Sequence, residues 1–219
     1  ELAGKKPSAV TFAVQGLGAM GAAVFRYFSE YGGHLRFLAD PVYGGTWAFA
    51  NDPSPALREA LVKRDTATAR TLIEKEAKKI SADTQDILYQ DIDILFPCAI
   101  QDVITAANQS KIKARFISEG ANNPTSIEAY TKLFERGVTV IPDFIANVGG
   151  IIAAYIEMTS DVSPAENAKT RANVTASKEL TISKISENVR ELMAMVKNLG
   201  VEPSHAGQYM AYRNILESE

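Results

Sequence analysis

The stretch VQGLGAMGAAV, residues 14–24, decides the fold. It carries glycines at 16, 18 and 21, in the spacing Gly-x-Gly-x-x-Gly. That spacing alone is a weak signal, because glycines also serve ordinary turns, so its neighbours matter. Residues 9–15, AVTFAVQ, form a short run of apolar, β-branched and aromatic residues that predicts a strand. Residues 19–33 place Val24, Tyr27 and Phe28 on one helical face and close on Gly32-Gly33. Residues 35–40, LRFLAD, read as a second strand. A strand, a glycine turn, a helix and a strand in this order are what such a loop needs to hold a dinucleotide.

Each glycine then has a task. Gly16 permits the tight turn, Gly18 lets the backbone approach a pyrophosphate, and Gly21 lets the helix lie close to the sheet. Ala19 and Met20 open the helix, so unpaired N–H groups and the positive end of the helix dipole point at the phosphates. Asp40 ends the second strand, about 20 residues beyond the third glycine, where a carboxylate accepts the hydroxyls of the adenine ribose. No Lys or Arg occurs in 41–50 to neutralise a 2′-phosphate. This favours NAD and leaves NADP open. A glycine turn with a ribose-binding acid also serves S-adenosylmethionine, but that ligand does not need the third glycine.

Further along, 41–54 reads as a loop, and Ser54-Pro55 as an N-cap with proline at the first helical position. Residues 55–80 are expected to be mostly helical. IDILFP (92–97), RFISE (115–119) and VTVIP (138–142) read as three more buried strands. Helical patterns at 99–110 and 126–136 separate them, the second opened by a capping box at Thr125-x-x-Glu128. Strands alternating with helices at this spacing predict an α/β fold with a Rossmann-like, doubly wound parallel sheet. Beyond it come extra C-terminal helices. One runs from Ala146 to Met158 with a double glycine inside it, and another starts at Ser163-Pro164-x-Glu166. A third carries the stripe Leu180, Ile182, Ile185, Val189, Leu192, Val196 and Leu199, closed by Gly200, and a last one covers about 204–217. The reading divides the chain into a dinucleotide-binding domain, 1–160, and a helical segment, 161–219.

Composition narrows the function. The 219 residues are 46% hydrophobic and 22% charged, with 23 basic against 26 acidic residues and a net charge of −3. No basic block suits nucleic acid or an anionic membrane, and no apolar run is long enough to span a bilayer. The single cysteine, Cys98, rules out an internal disulfide and fits a reducing, cytoplasmic setting. No metal-ligand spacing stands out. The opening, ELAGKKPSAV, has neither an initiating methionine nor a secretory signal, and the chain reads as a cut or processed piece.

Three later motifs sharpen the reading: DILFPCAIQDVI (93–104), ISEGANNPTSIEA (117–129) and VIPDFIANVGGIIAAYIE (140–157). In this order they resemble the glutamate/leucine/phenylalanine/valine dehydrogenase family, in its C-terminal cofactor-binding domain and most of all in its glutamate-specific members. The resemblance covers Lys5 to Leu216. It implies an NAD(P)-dependent oxidative deamination of an L-amino acid to a 2-oxoacid and ammonia.

It also implies roles at matching positions. Pro97, Cys98, Ala99 and Ile100 would line the nicotinamide-side ribose and phosphate, with Cys98 acting as a small buried hydrophobe. Asn122 would lie at that ribose, and Asn147 would hold the carboxamide or reach toward substrate; both residues could equally cap turns. Glu119 would orient its loop, and Asp143 would cap the helix after it. Gly150, Ile151 and Ala154 would lie beside the substrate. Glutamate-specific members place a Ser where this chain has Ala154, which removes a bond to the substrate side chain.

The family's N-terminal substrate domain, with its catalytic Lys and Asp, has no counterpart here. No catalytic residue is therefore assigned, and the isolated chain is expected to bind a dinucleotide without turnover. The expected partners are that absent domain, an amino acid or 2-oxoacid, and further copies in a homo-oligomer. The competing reading is a stand-alone NAD-binding module with a sensing role.

Overall fold

The computed structural model describes residues 5–159 and 171–217. They form two compact units, Glu1–Val140 and Ile141–Glu219. The sequence reading placed its change of character at 160/161 instead, inside the stretch not described.

The centre of the first unit is β1 (Thr11–Gln15), buried along four of its five residues. A strand covered on both faces needs apolar side chains in both directions. Phe12 and Val14 point into one core with Phe25, Leu38, Trp47, Leu57, Ile73 and Phe96. Ala13 points into the other with Ile87, Leu95, Ile104, Ile117, Leu133 and Val140. Phe12, Phe28 and Phe96 meet edge-on, with ring centroids 4.9, 5.2 and 6.1 Å apart. Each fully buried Phe, Leu or Ile contributes about 1.5–3 kcal/mol relative to exposure.

Parallel neighbours flank β1: β2 (His34–Asp40) on one side and β5 (Ile94–Pro97) on the other. The seven strands run in the order β4-β3-β2-β1-β5-β6-β7, with β3 at Gly45–Ala48, β4 at Lys78–Ser81, β6 at Phe116–Ser118 and β7 at Thr139–Ile141. α1 (Ala19–Glu30) lays Gly21, Ala22 and Phe25 on the sheet. The doubly wound, mostly parallel sheet expected from the sequence is present.

Four local stretches refine or correct the sequence reading. First, the loop 41–54 contains β3 (Gly45–Ala48), antiparallel to β2. Gly44 (φ 76°) and Gly45 (φ 135°) turn the chain back, as a Gly-Gly pair does in a hairpin. Second, 55–80 is mostly helical, as expected, but in two helices. α2 (Pro55–Lys63) stops at Arg64, held at φ 57°. The Asp65 side chain then caps α3 (Thr66–Glu76) by accepting the Thr68 N–H at 3.1 Å. The chain leaves as β4 (Lys78–Ser81), antiparallel to β3, whose lysines guard the sheet edge.

Third, 99–110 is not an α-helix. Asp102 has φ 54° and Ile104 bridges in parallel to Thr125. Val103 and Ile104 are buried beside that extended bridge and not on a helical face, while Ile100 stays exposed. Fourth, α4 (Ile127–Glu135) takes Ser126 as its N-cap, so the box expected at Thr125 is out of frame.

The second unit holds α5 (Asp143–Ala146), α6 (Gly149–Thr159), α7 (Arg171–Leu199) and α8 (Pro203–Glu217). Ile141, Ile145, Leu192, Ala206 and Met210 form its core. The double glycine lies in the first turn of α6, not inside a longer helix as the sequence reading had it. Along the α7 stripe Leu192 is fully buried, while Ile182 and Leu199 remain exposed. The helix start expected at Ser163-Pro164 lies outside the described residues.

Candidate dinucleotide site

The loop after β1 is fixed by contacts the three glycines make possible. Gly16 has φ 84°, and its N–H donates to the Ala39 carbonyl of β2 at 2.7 Å. A Cβ at Gly16 would stand 2.8 Å from the Ala99 Cα, and one at Gly21 would stand 1.7 Å from the Gly16 carbonyl oxygen. Both residues are therefore glycine for reasons internal to the protein: the turn and α1 press on each other through backbone. Gly18 is different. It sits at an ordinary φ of −65°, and a Cβ there would meet nothing within 4 Å. Nothing in the described fold demands a glycine at 18, whereas a ligand lying against the backbone would.

Gly18 is also the N-cap of α1 and supplies no side-chain cap, and the first turn carries no acid. The opening N–H groups, at Ala19 and Met20, have no intrahelical acceptor by helix geometry, and the dipole adds positive potential there. This is the chemistry of an anion site, and the residues fit a pyrophosphate. Nearby, the Gln15 side-chain oxygen is buried and has no hydrogen-bond partner among the described residues.

Asp40 closes β2 beside this loop and is 9% exposed. Its Oδ2 accepts the Leu17 N–H at 2.7 Å, and its Oδ1 accepts the Val42 N–H at 2.8 Å. The carboxylate therefore ties the glycine loop to the next turn, a task sequence reading missed. A second lone pair on each oxygen is left over for a ribose hydroxyl. Tyr43 lies alongside, buried, and burial followed by the nearby Asp40 charge pushes its phenol above the ordinary range.

The carboxyl ends of β5 and β6 complete the rim of the first unit. Pro97 ends β5, and its carbonyl accepts the N–H groups of Gly120 and Ala121 at 3.1 and 2.9 Å. Cys98 donates its N–H to Gln15 at 2.8 Å, and Ala99 packs against Gly16. A Cβ at Gly120 would lie 2.5 Å from the Cys98 sulfur and 3.0 Å from Met20 Cγ. Gly120 is thus a further constrained residue, and a glycine directly after a strand was its only signal in sequence. Gly16 packs against Ala99, and Gly120 against Cys98 and Met20, at this rim.

Burial pushes the Cys98 thiol up to about 12, so it serves as packing and not as a nucleophile. Asn122 is exposed on the same loop. Glu119 is buried at the end of β6 and accepts the Tyr130 hydroxyl at 2.6 Å, which orients that loop. Among the described residues no group of His, Cys, Asp and Glu could hold a metal ion, and no helix is long and apolar enough to cross a membrane.

In the second unit, Asn147 is the C-cap of α5 and donates its N–H to the Asp143 carbonyl at 2.7 Å. Asp143 is the first residue of α5 rather than its N-cap, which is Pro142; its Oδ1 accepts the Phe144 N–H at 2.7 Å. Gly150, Ile151 and Ala154 are exposed along α6, Ile151 at 74%.

Comparison with known proteins follows the same line. The model of the glutamate/leucine/phenylalanine/valine dehydrogenase family matches residues 1–217. A glutamate dehydrogenase of Aeropyrum pernix is 41% identical over 151 residues, covering 69% of this chain and 34% of that protein. An NADP(+)-dependent glutamate dehydrogenase of Pyrobaculum calidifontis is 36% identical over 152 residues, covering 69% and 36%. The chain thus spans about a third of the length of these relatives. Among solved structures, the hetero-hexameric glutamate dehydrogenase of Thermus thermophilus superposes with a TM-score of 0.74 at 18% identity, covering 100% of this chain and 49% of that one. At that identity the likeness speaks for the fold.

Proposed function

This chain belongs to the glutamate/leucine/phenylalanine/valine dehydrogenase family, and from that premise we propose that it is the dinucleotide-binding part of an NAD(P)-dependent amino-acid dehydrogenase. The reaction is oxidative deamination of an L-amino acid, with glutamate as the leading substrate, to a 2-oxoacid and ammonia. When bound, the nicotinamide ring supplies a hydride acceptor or donor for the substrate α-carbon. The observation that carries the reading is Gly18: a glycine with open space beside it, at the unpaired start of α1.

The chain's own residues then divide the work. N–H groups at Ala19 and Met20 neutralise the pyrophosphate, while Gly16 and Gly21 hold the turn that aims them. Asp40 accepts a hydroxyl of the adenine ribose, which suits NAD. Pro97, Cys98, Ala99 and Asn122 line the path toward the nicotinamide ribose. Gly150, Ile151 and Ala154 stand at the substrate. Ala154 has no hydroxyl for the glutamate side-chain carboxylate, which costs about 1.5–3 kcal/mol relative to a donor there. Proton transfer is assigned to residues outside these 219, so this polypeptide by itself binds and does not turn over. Exposed apolar side chains such as Ile182 and Leu199 are assigned to contacts with the rest of a multi-subunit enzyme.

Calorimetric titration of the chain with NAD tests this. Saturable binding of one dinucleotide per chain is the expected result. A flat titration with both NAD and NADP, while S-adenosylmethionine binds, would overturn it.

A further inference from the structure

Among the described residues, three that are not glycine hold a left-handed backbone: Arg64 (φ 57°), Asp102 (φ 54°) and Asn123 (φ 46°). Arg64 closes α2, where a left-handed cap is ordinary. Asp102 and Asn123 close no helix. They stand on the two loops that leave the carboxyl ends of β5 and β6, and they are bonded to each other: the Asp102 N–H donates to the Asn123 carbonyl at 3.0 Å. Both side chains are exposed, so burial does not force the conformation. The left-handed backbone is unfavourable for an L-residue, less so for Asp and Asn than for most. Two such residues facing each other across one hydrogen bond, beside a candidate ligand site, point to a positioning role.

The bond lies partway along a ladder between the loops. At one end the Pro97 carbonyl accepts the Gly120 and Ala121 N–H groups at 3.1 and 2.9 Å. At the other, the Ile104 N–H donates to the Pro124 carbonyl at 2.9 Å, and the Ser126 N–H donates to the Ile104 carbonyl at 2.8 Å. Pro97, Ile104 and Pro124 are buried, whereas residues 99–101 and 122 are exposed. The exposed stretches are therefore slung between two buried anchors. Asp102 and Asn123 set the direction in which both loops turn back toward the second anchor. Returning either residue to an extended backbone rotates its peptide planes and separates the Asp102 N–H from the Asn123 carbonyl.

We propose that Asp102 and Asn123 are positioning residues for the nicotinamide half of the dinucleotide. Their paired left-handed backbones fix the spacing of 98–101 against 120–122 before the ligand arrives, and they act through main chain, not through side chains. The proposal rests on the dinucleotide reading above. Its energetic basis is preorganisation: a rim already held in place loses less freedom when the ligand binds.

Gly, Ala and Val substitutions at each position, made in the full chain, separate conformation from side chain. Glycine keeps the left-handed backbone and removes the side chain; alanine disfavours that backbone, and β-branched valine does so more strongly. Affinities for NAD and for AMP, which holds only the adenosine end, are read beside the Tm and beside amide hydrogen exchange at position 102. Asn123→Gly and Asp102→Gly should bind NAD within about twofold of wild type and keep that amide protected. Asn123→Val and Asp102→Val should release the amide and weaken NAD by about tenfold (~1.4 kcal/mol), with AMP unchanged within about twofold. Asn123→Ala and Asp102→Ala should fall between, at about fivefold, and carry the comparison if a valine variant does not fold.

Glycine variants as weak as the alanine and valine ones would assign the effect to the side chains and overturn the proposal. Alanine and valine variants that bind NAD like wild type, or that lose NAD and AMP equally, would also overturn it and leave the dinucleotide reading intact. Failure of both NAD and AMP to bind wild type would remove the dinucleotide reading itself.

Discussion

The three glycines of the loop are not equivalent, and substituting them one at a time separates folding from binding. At Gly21 an added Cβ would stand 1.7 Å from the Gly16 carbonyl oxygen and 3.2 Å from Val14 Cγ1. Backbone cannot yield there as a flexible side chain can, so α1 must lift from the sheet. Overpacking of this kind costs about 1–3 kcal/mol or more, and 1 kcal/mol lowers the Tm of a chain of this size by roughly 2–4 °C. Gly21→Ala should therefore melt about 2–12 °C lower.

Gly18→Ala places its methyl in open space, so its Tm should stay within about 2 °C of wild type. Its cost falls on the ligand. The methyl stands where a phosphate oxygen must approach the helix N–H groups, and losing one hydrogen bond to a charged group is worth about 1.5–3 kcal/mol. That is roughly a 10- to 150-fold rise in the Kd for NAD. Thermal melts followed by circular dichroism and fluorescence titration with NAD read the two quantities independently. The reasoning fails if Gly18→Ala binds NAD within twofold of wild type, or if Gly21→Ala melts where wild type does.

Three further outcomes are expected. Asp40→Asn leaves a single acceptor oxygen for the Leu17 and Val42 N–H groups; urea denaturation should show about 1–3 kcal/mol lost, and a loss under about 0.5 kcal/mol would refute the tether. At pH 8 the Cys98 thiol should be thiolate in roughly one molecule in ten thousand, so a maleimide should label it only in denaturant; rapid labelling of native protein would contradict its packing role. Burial pushes the Asp93 carboxyl up, but hydrogen bonds from the Lys5 ammonium and from the Thr11 N–H and hydroxyl outweigh it and hold the group below its usual range. Its stabilisation is complete above about pH 4 and is lost as pH falls through the lowered folded value. Asp93→Asn should flatten that acid limb in urea midpoints measured from pH 6 down to pH 2, and an unchanged limb would refute the assignment.

The parts legible in sequence are those in which local pattern and burial agree. The run from Val14 to Val24 showed itself because β1 is buried on both faces and the helix after it packs through glycine and alanine. The missed elements lie where they disagree. β4 reads Lys-Lys-Ile-Ser and is largely exposed, so its apolar content carried no strand period. Gly44-Gly45 held a hairpin signal, but Trp47 beside alanines looked like loop.

At 99–110, Val103 and Ile104 mimic a helical face, and their burial comes from pairing with a distant segment. The same limit applied to the site. Which atoms Asp40 touches, and that Arg70 reaches Val42, depend on contacts between residues far apart in the chain.

Asp40 also bears on attempts to re-engineer the coenzyme choice of this scaffold. Exchanging the acid at the end of the second strand is the obvious first design, but here the same carboxylate is a rivet between two segments of backbone. Replacing it would loosen the phosphate cradle along with the sugar contact, and the engineer would read a folding defect as a selectivity result. Redesign should instead begin on the neighbouring helix and edge strand, where side chains can be changed while the rivet stays in place.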